Sequence, residues 1–142
     1  MAVLLDTDHL SILQHRTQPE RDRLRVRLDG LAPDDVTTSI VSFHEQVQGW
    51  MSLLNRAQAP DQVVHAYSKL EAMWRSFGKM NVVSFTAEAQ ECFASLRKQR
   101  LRLATMDLRI ASIALVTDST LLSRNLRDFR HVPRLMVEDW TT

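Results

Sequence analysis

The chain has 142 residues, enough for one domain (1–142) that buries about two-thirds of its unfolded surface. Hydrophobic residues make up 44% and charged residues 25%, with three glycines and four prolines, a balance that excludes a disordered or fibrous chain. The formal charge of +1 shows no overall basic character, and the lone cysteine, Cys92, excludes an internal disulfide and any cysteine-built metal cage. Apolar runs such as Ile110–Val116 are too short to cross a bilayer, and Asp6 interrupts the apolar start, so neither a membrane span nor a secretory leader is expected. The expected location is the cytoplasm. Arginines gather in Arg21–Arg27, Arg97–Arg102 and Arg124–Arg134, where they could form solvated helix faces or grip phosphate.

In chain order, Ala2–Leu5 is a short apolar run that stops at an acid, as a buried strand does. Asp8–His15 predicts one or two helical turns. Pro19 opens a helix with Leu24, Leu28 and Leu31 on one side and Gly30 near its end. Val36–Thr38 is a brief β-branched strand, and Ser39 caps a helix whose stripe is Ile40, Phe43, Val47, Trp50 and Leu54. After a turn at Ala57–Pro60, a second helix is expected to turn Val63, Tyr67, Leu70, Trp74 and Phe77 inward, stop at Gly78 and form an antiparallel hairpin with the first. Val82–Phe85 reads as a third strand, and Thr86 starts a helix to about Arg100. Thr105 is expected to cap an apolar helix through Val116; Thr120–Ser123 and Leu135–Val137 are the last strands. Strands alternating with helices predict an α/β fold whose mainly parallel sheet is covered on both faces, with ligands at the carboxyl ends of the strands.

Four segments deliver oxygen ligands to that rim. Asp6 follows the first strand; Asn125 and Asp128 follow the fourth; Asp107 opens the helix that feeds the fourth strand; Glu45 lies in the second turn of the helix leaving the second. Each has a plainer reading. Asp6 could close a turn, Asp107 could complement a helix dipole, and Glu45 lies nearly opposite its helix's apolar stripe. Yet Asp107 is the lone acid in a helix otherwise suited to the core, and Glu45 shares its side with the small residues Ser42 and Gly49. Carboxylates drawn together repel one another, and a hard divalent cation relieves the repulsion. Magnesium takes a few carboxylate oxygens plus waters and leaves room for a substrate phosphate, which favours phosphodiester hydrolysis.

Other chemistries lack their residues. His9, His15, His44, His65 and His131 show no paired ligand spacing and are expected at the surface or the edge of the core. Three glycines make no phosphate-cradling loop, no GxSxG is present, and Cys92 has no activating neighbour in sequence.

The segments LLDTDHL (Leu4–Leu10), SIVSFHEQVQGW (Ser39–Trp50), ATMDLRIASIAL (Ala104–Leu115), LLSRNLRDF (Leu121–Phe129) and VPRLMVEDW (Val132–Trp140) together resemble the PIN-domain family. More narrowly, they are similar to the VapC-type ribonuclease toxins of bacterial and archaeal toxin–antitoxin pairs. The resemblance spans nearly the whole chain through the order and spacing of its motifs. It implies a three-layer α/β/α fold with a central sheet of four to five strands. It implies Asp6, Glu45 and Asp107 as the acids around Mg2+ or Mn2+, with Glu45 binding the ion or orienting water. It places Asn125 at the fourth site position and leaves Asp128 as a helper or structural residue. Asp8 stands where Asn is common, and Ala104, just ahead of Thr105-Met106-Asp107, where Gly is common. The implied activity is metal-assisted endoribonucleolytic hydrolysis of RNA, by a homodimer held inactive by a cognate antitoxin. Ser123, Arg124 and Arg127 are candidates for holding phosphate, from their place at the rim. The hairpin residues Trp50, Met51 and Trp74 offer apolar surface for partners or ordinary packing.

Two alternatives stand beside this reading. Asp6-Thr7-Asp8 after a strand partly matches the DxDx[TV] motif of haloacid-dehalogenase-type phosphatases, although Leu10 departs from it. An inactive PIN-type module that binds RNA or protein is the other.

Overall fold

The computed structural model describes residues 1–15 and 18–142 of the chain. Its elements are β1 (Val3–Leu5), α1 (Thr7–His15), α2 (Pro19–Asp29), a 3-10 turn (Pro33–Asp35), β2 (Val36–Ser39), α3 (Ile40–Arg56), α4 (Pro60–Phe77), β3 (Asn81–Val83), α5 (Ala87–Arg97), α6 (Thr105–Val116), β4 (Thr120–Leu122), α7 (Leu126–Phe129) and β5 (Val137–Glu138). The strands form one sheet in the order β3-β2-β1-β4-β5, with every neighbouring pair parallel. No helix of the described residues is long and apolar enough to cross a membrane.

The sheet is buried on both faces, which is why β1 reads as an unbroken apolar run and β4 carries Leu121 and Leu122 side by side. Side chains still alternate across it. Leu4 and Leu121 enter one core with Phe93, Leu96, Leu108, Ile110 and Ile113 of α5 and α6. Val3, Leu5 and Leu122 enter another with Ile12 of α1, Leu24 and Leu28 of α2, and Trp140. A third cluster, around Leu10, Met73 and Phe77, joins α1 to the α3–α4 hairpin, where Phe43 meets Phe77 edge to face at 5.1 Å. The expected three layers are present.

The chain turns outward from β1 in two directions. It runs first to β2 and β3 on one side, then returns to place β4 on the other. The carboxyl ends of β1 and β4 therefore border the switch point, where strand connections diverge and leave a crevice. Leu5 and Leu122 are partners in register, so Asp6 and Ser123 leave the sheet side by side. The Asp6 amide donates to Leu122 O at 3.0 Å.

Several local expectations are corrected. In α3 the buried residues are Val41, Ser42 and Gln46, whereas Ile40 is exposed; Phe43, Val47 and Trp50 are only partly covered. The helix lies with its small and polar side against α1 and α6, so packing overrode the apolar stripe. In α4 Phe77 is buried and Leu70 partly covered as expected, but Ala66 and Met73 join them inside while Val63, Tyr67 and Trp74 are exposed, Trp74 at 67%. α5 stops at Arg97, three residues early, and Arg100 takes a left-handed turn at φ 54°. The N-cap of α6 is Ala104, with no side-chain cap, and Thr105 is its first helical residue.

Ser39 and Thr86 do cap their helices, accepting from Ser42 N at 3.1 Å and Ala89 N at 3.2 Å. Loss of such a cap costs about 1 kcal/mol. Ser39→Ala is therefore expected to destabilise the fold by about 1 kcal/mol in urea unfolding, and Thr105→Ala by less than about 0.5 kcal/mol. Equal losses at both positions would show that Thr105 holds the start of α6 after all.

Candidate active site

A cleft of about 750 Å3 opens at the switch point, walled by Asp6, Thr7, Asp8, Ser11, Glu45, Asp107, Arg124, Asn125 and Phe129. Six separate elements or their ends supply these walls, Phe129 of α7 among them. β1 delivers Asp6, α1 Thr7 to Ser11, α3 Glu45, α6 Asp107, and the turn after β4 Arg124 and Asn125. Asp6, Glu45, Asp107 and Asn125, distant in sequence, thus share one cavity.

Each carboxylate is held differently. Asp6 is buried, at 7% exposure, and precedes α1; its Oδ1 accepts the His9 amide at 2.8 Å, as an N-cap residue does. Glu45 Oε1 accepts from Thr7 Oγ1 at 2.6 Å, and that hydroxyl also lies 3.0 Å from Ser42 Oγ. Full burial of Ser42 explains why this side of α3 must be small: it lets the helix approach α1 and brings Glu45 over the rim. Asp107 stands in the first turn of α6, whose later residues Ile110 to Ala114 are buried.

Burial first, then the negative charges of Glu45, Asp6 and Asp128, push the Asp107 carboxyl up from 3.8 to about 6. Desolvation penalises the charged form, and the like charges nearby add to that penalty. Among the described residues, no group of three His, Cys, Asp or Glu side chains is drawn close enough to form a ready-made metal cage. The donor set suits a hard ion bound by a few carboxylates with waters filling the rest, which does not demand a closed cage.

The remaining candidates divide. Asn125 lines the cleft and donates from Nδ2 to Asp128 Oδ2 at 3.2 Å; Asp128 itself stands behind Asn125, outside the walls, and acts on Asp107 through its charge. Asp8 is exposed in the cleft, with Oδ2 3.9 Å from Arg124 Nε. Arg124 is thus placed at the mouth. Arg127 is exposed on α7 and does not wall the cleft. Ser123 corrects the expectation of a phosphate contact: it is fully buried, and its Oγ accepts the Asn125 amide at 2.9 Å, so it shapes the turn.

Two neighbours went unread in the sequence. Thr7 holds Glu45, and its signal was only a hydroxyl between two acids. His9, expected at the surface or core edge, is completely buried beside Asp6. Its signal was the three-residue step from an N-cap acid, which puts it at the position whose amide that acid accepts. The side chain of His15 lies outside the described residues.

Below 3.8 the Asp107 carboxyl is neutral in both folded and unfolded chains; between 3.8 and about 6 the folded chain holds the extra proton. Stability from this group is therefore full at low pH and lost as pH rises through about 6. In metal-free protein, Asp107→Asn is expected to raise stability by about 1 kcal/mol at pH 8, after discounting for partial exposure, and to change little at pH 4. Thermal unfolding in EDTA at both pH values reads this, and a loss at pH 8 would mean that the acids are not in mutual repulsion.

No protein-family model matches the chain. Among curated proteins it is 29% identical over 66 residues to Ribonuclease VapC2 of Rickettsia felis; the match covers 44% of this chain and spans about half the length of that relative, 49%. Its fold matches VapBC-1 of nontypeable Haemophilus influenzae with a TM-score of 0.77 at 22% identity, over 100% of both chains. It also matches VapBC-5 of Mycobacterium tuberculosis, a member of the VapBC family of toxin-antitoxin systems, with a TM-score of 0.58 at 22% identity over 98% of each chain. With its all-parallel sheet and its acids at the β1–β4 switch point, the chain has the fold seen in these VapBC structures.

Proposed function

We propose that this protein is a metal-dependent endoribonuclease, the toxin of a toxin–antitoxin pair, that hydrolyses RNA phosphodiester bonds with Mg2+ or Mn2+. The observation that carries the proposal is the convergence of Asp6, Glu45 and Asp107 on one cleft, where partial burial and the neighbouring acids lift Asp107 to about 6. The relative's name, a ribonuclease, supports the choice of RNA, and the toxin–antitoxin membership of the structural neighbour supports the biological role.

Asp6 and Asp107 would hold the ion, with Glu45 beside them as a further ligand or as the group that orients water. A divalent ion bound there supplies positive charge for a phosphate oxygen and lowers the cost of deprotonating water. The chain's own residues do the rest. Asp107 must give up its proton before it can bind an ion, so binding strengthens as pH rises through the range near 6. Thr7 keeps the Glu45 carboxylate turned to α1 instead of solvent. Arg124, exposed at the mouth and near Asp8, can leave that weak pair for a substrate phosphate. Asn125 adds a neutral amide to the fourth position, so ion binding there depends on fewer charges than in an all-acid site.

The phosphatase alternative asks for a polar or small β-branched residue at position 10, but Leu10 is buried in the α1–α3–α4 core. Asp8, which would serve as the acid of that chemistry, is exposed beside Arg124. Neither observation favours it. The proposed protein acts in the cytoplasm as a homodimer and binds a cognate antitoxin. Exposed Val64, Tyr67 and Trp74 on α4 support protein contacts on that face.

RNA cleavage by the purified protein tests the reading. Activity is expected with Mg2+ or Mn2+, to disappear in EDTA, and to fall by about 100-fold or more in Asp6→Asn and Asp107→Asn. Cleavage that survives EDTA and both substitutions would remove the metal site from the chemistry. Arg124→Ala is expected to raise KM more than it lowers kcat, and the opposite split would move Arg124 from substrate binding to the transition state.

A further inference from the structure

His9 is completely buried yet touches chemistry on both sides of its ring. On one side, Nδ1 lies 3.6 Å from Asp6 Oδ1, the oxygen that already accepts the His9 amide. On the other, Nε2 accepts the Trp140 amide at 3.2 Å and lies 3.6 Å from Asp139 Oδ1, an oxygen already taken up by the Thr141 amide and hydroxyl. An imidazole nitrogen that accepts an N–H carries no proton, so the ring proton of the neutral imidazole sits on Nδ1 and faces Asp6. Among the described residues, Nδ1 has no hydrogen-bond partner of its own. A buried donor without a partner is costly, and the nearest acceptor is the carboxylate at the cleft.

The segment that sets this tautomer is itself firmly tied. The Thr141 amide and hydroxyl both donate to Asp139 Oδ1, at 2.8 and 2.6 Å, and Trp140 Nε1 donates to Glu138 Oε1 at 3.3 Å. From α2, Arg27 lies over the Trp140 ring at 4.3 Å, and Arg23 Nε donates to Thr141 O at 2.7 Å. The chain end therefore forms a fixed amide donor behind His9, on the side away from Asp6.

We propose that His9 is a positioning residue: held as the Nδ1–H tautomer by the Trp140 amide, it steadies the Asp6 carboxylate for a divalent cation. This rests on the reading of the cleft as a cation site. The backbone amide of His9 secures one Asp6 oxygen from the chain, and the imidazole adds a second positive edge to the same oxygen. The carboxylate is thereby held against swinging away from Glu45 and Asp107, whose charges repel it. The C-terminal segment acts on the cleft through this one ring.

The test uses two substitutions that each keep half of the ring's function. His9→Asn can keep an N–H at the place of Nδ1 but cannot reach Trp140. His9→Gln reaches the place of Nε2, where it can accept the Trp140 amide, but presents no N–H to Asp6. Mn2+ affinity of the full chain, measured by electron paramagnetic resonance, is expected to fall about 10-fold in His9→Gln and by less than about 3-fold in His9→Asn. Long-range proton–nitrogen correlation spectra of the metal-free wild type are expected to show His9 as the Nδ1–H tautomer.

An Nε2–H tautomer, or equal Mn2+ affinity in all three proteins, overturns the inference. So does a larger loss in His9→Asn than in His9→Gln, which would assign the ring to fastening the chain end. If either variant fails to fold, the wild-type tautomer still decides. RNA left intact by a wild type that binds Mn2+ overturns the nuclease reading and leaves the role of His9 to be judged by the affinities alone.

Discussion

Like-charge repulsion at the end of β1 is the constraint that the rest of the structure has to hold. Asp6, Glu45 and Asp107 face one cleft, with Asp128 close behind, and partial burial together with these like charges raises Asp107 to about 6. Left to themselves, these carboxylates would move apart into water. They stay because each sits at the end of an element whose remainder is buried: β1 between two cores, α6 through Ile110 to Ala114, and α3 through Val41, Ser42 and Gln46. Burial of apolar surface in these elements stabilises the fold by far more than the repulsion costs it. Charge is collected at the rim because the core behind it is apolar.

Sheet topology converts that force into a site. β1 and β4 are parallel and in register, so their last residues, Leu5 and Leu122, release Asp6 and Ser123 at the same level. Since the chain departs from β1 to one side and returns to β4 on the other, the strand connections diverge at the crevice between them. The buried Ser123 hydroxyl then turns the chain so that Arg124 and Asn125 reach the cleft, while Asn125 and Asp128 fasten each other. Small hydrogen-bonded residues around the acids, Thr7, Ser42 and Ser123, set the final directions of longer side chains.

Legibility followed the kind of force involved. Runs such as Val3–Leu5 and Thr120–Leu122 announce buried parallel strands because both faces must be apolar, and Ser39 and Thr86 announce helix starts because their hydroxyls have an amide to accept. The acids at Asp6, Asp107 and Glu45 were visible as polar interruptions beside apolar elements. The facing of α4 was not. Its apolar residues exceed what one side can bury, and periodicity alone cannot choose between the side carrying Val63, Tyr67 and Trp74 and the side carrying Ala66, Met73 and Phe77. The choice fell to the shape of α3, whose Phe43 packs against Phe77. The same ambiguity placed Ser42 and Gln46, rather than Ile40, in the interior.

By itself, the sequence determined the α/β class, the places of all five strands to within a few residues, and the three acids that flank the proposed cation site, because these depend on local composition and on period. Tertiary structure alone decided which polar groups serve those acids. The burial of His9 between Asp6 and Trp140 joins residues 131 positions apart, and the link from Thr7 to Glu45 spans 38. Neither has a local signature, since hydrogen bonds of this kind arise only when packing brings two helices or a helix and the chain end into contact. The demotion of Ser123 from ligand to turn former has the same origin: a hydroxyl at the rim and a hydroxyl just beneath it look alike until the sheet beside it is built.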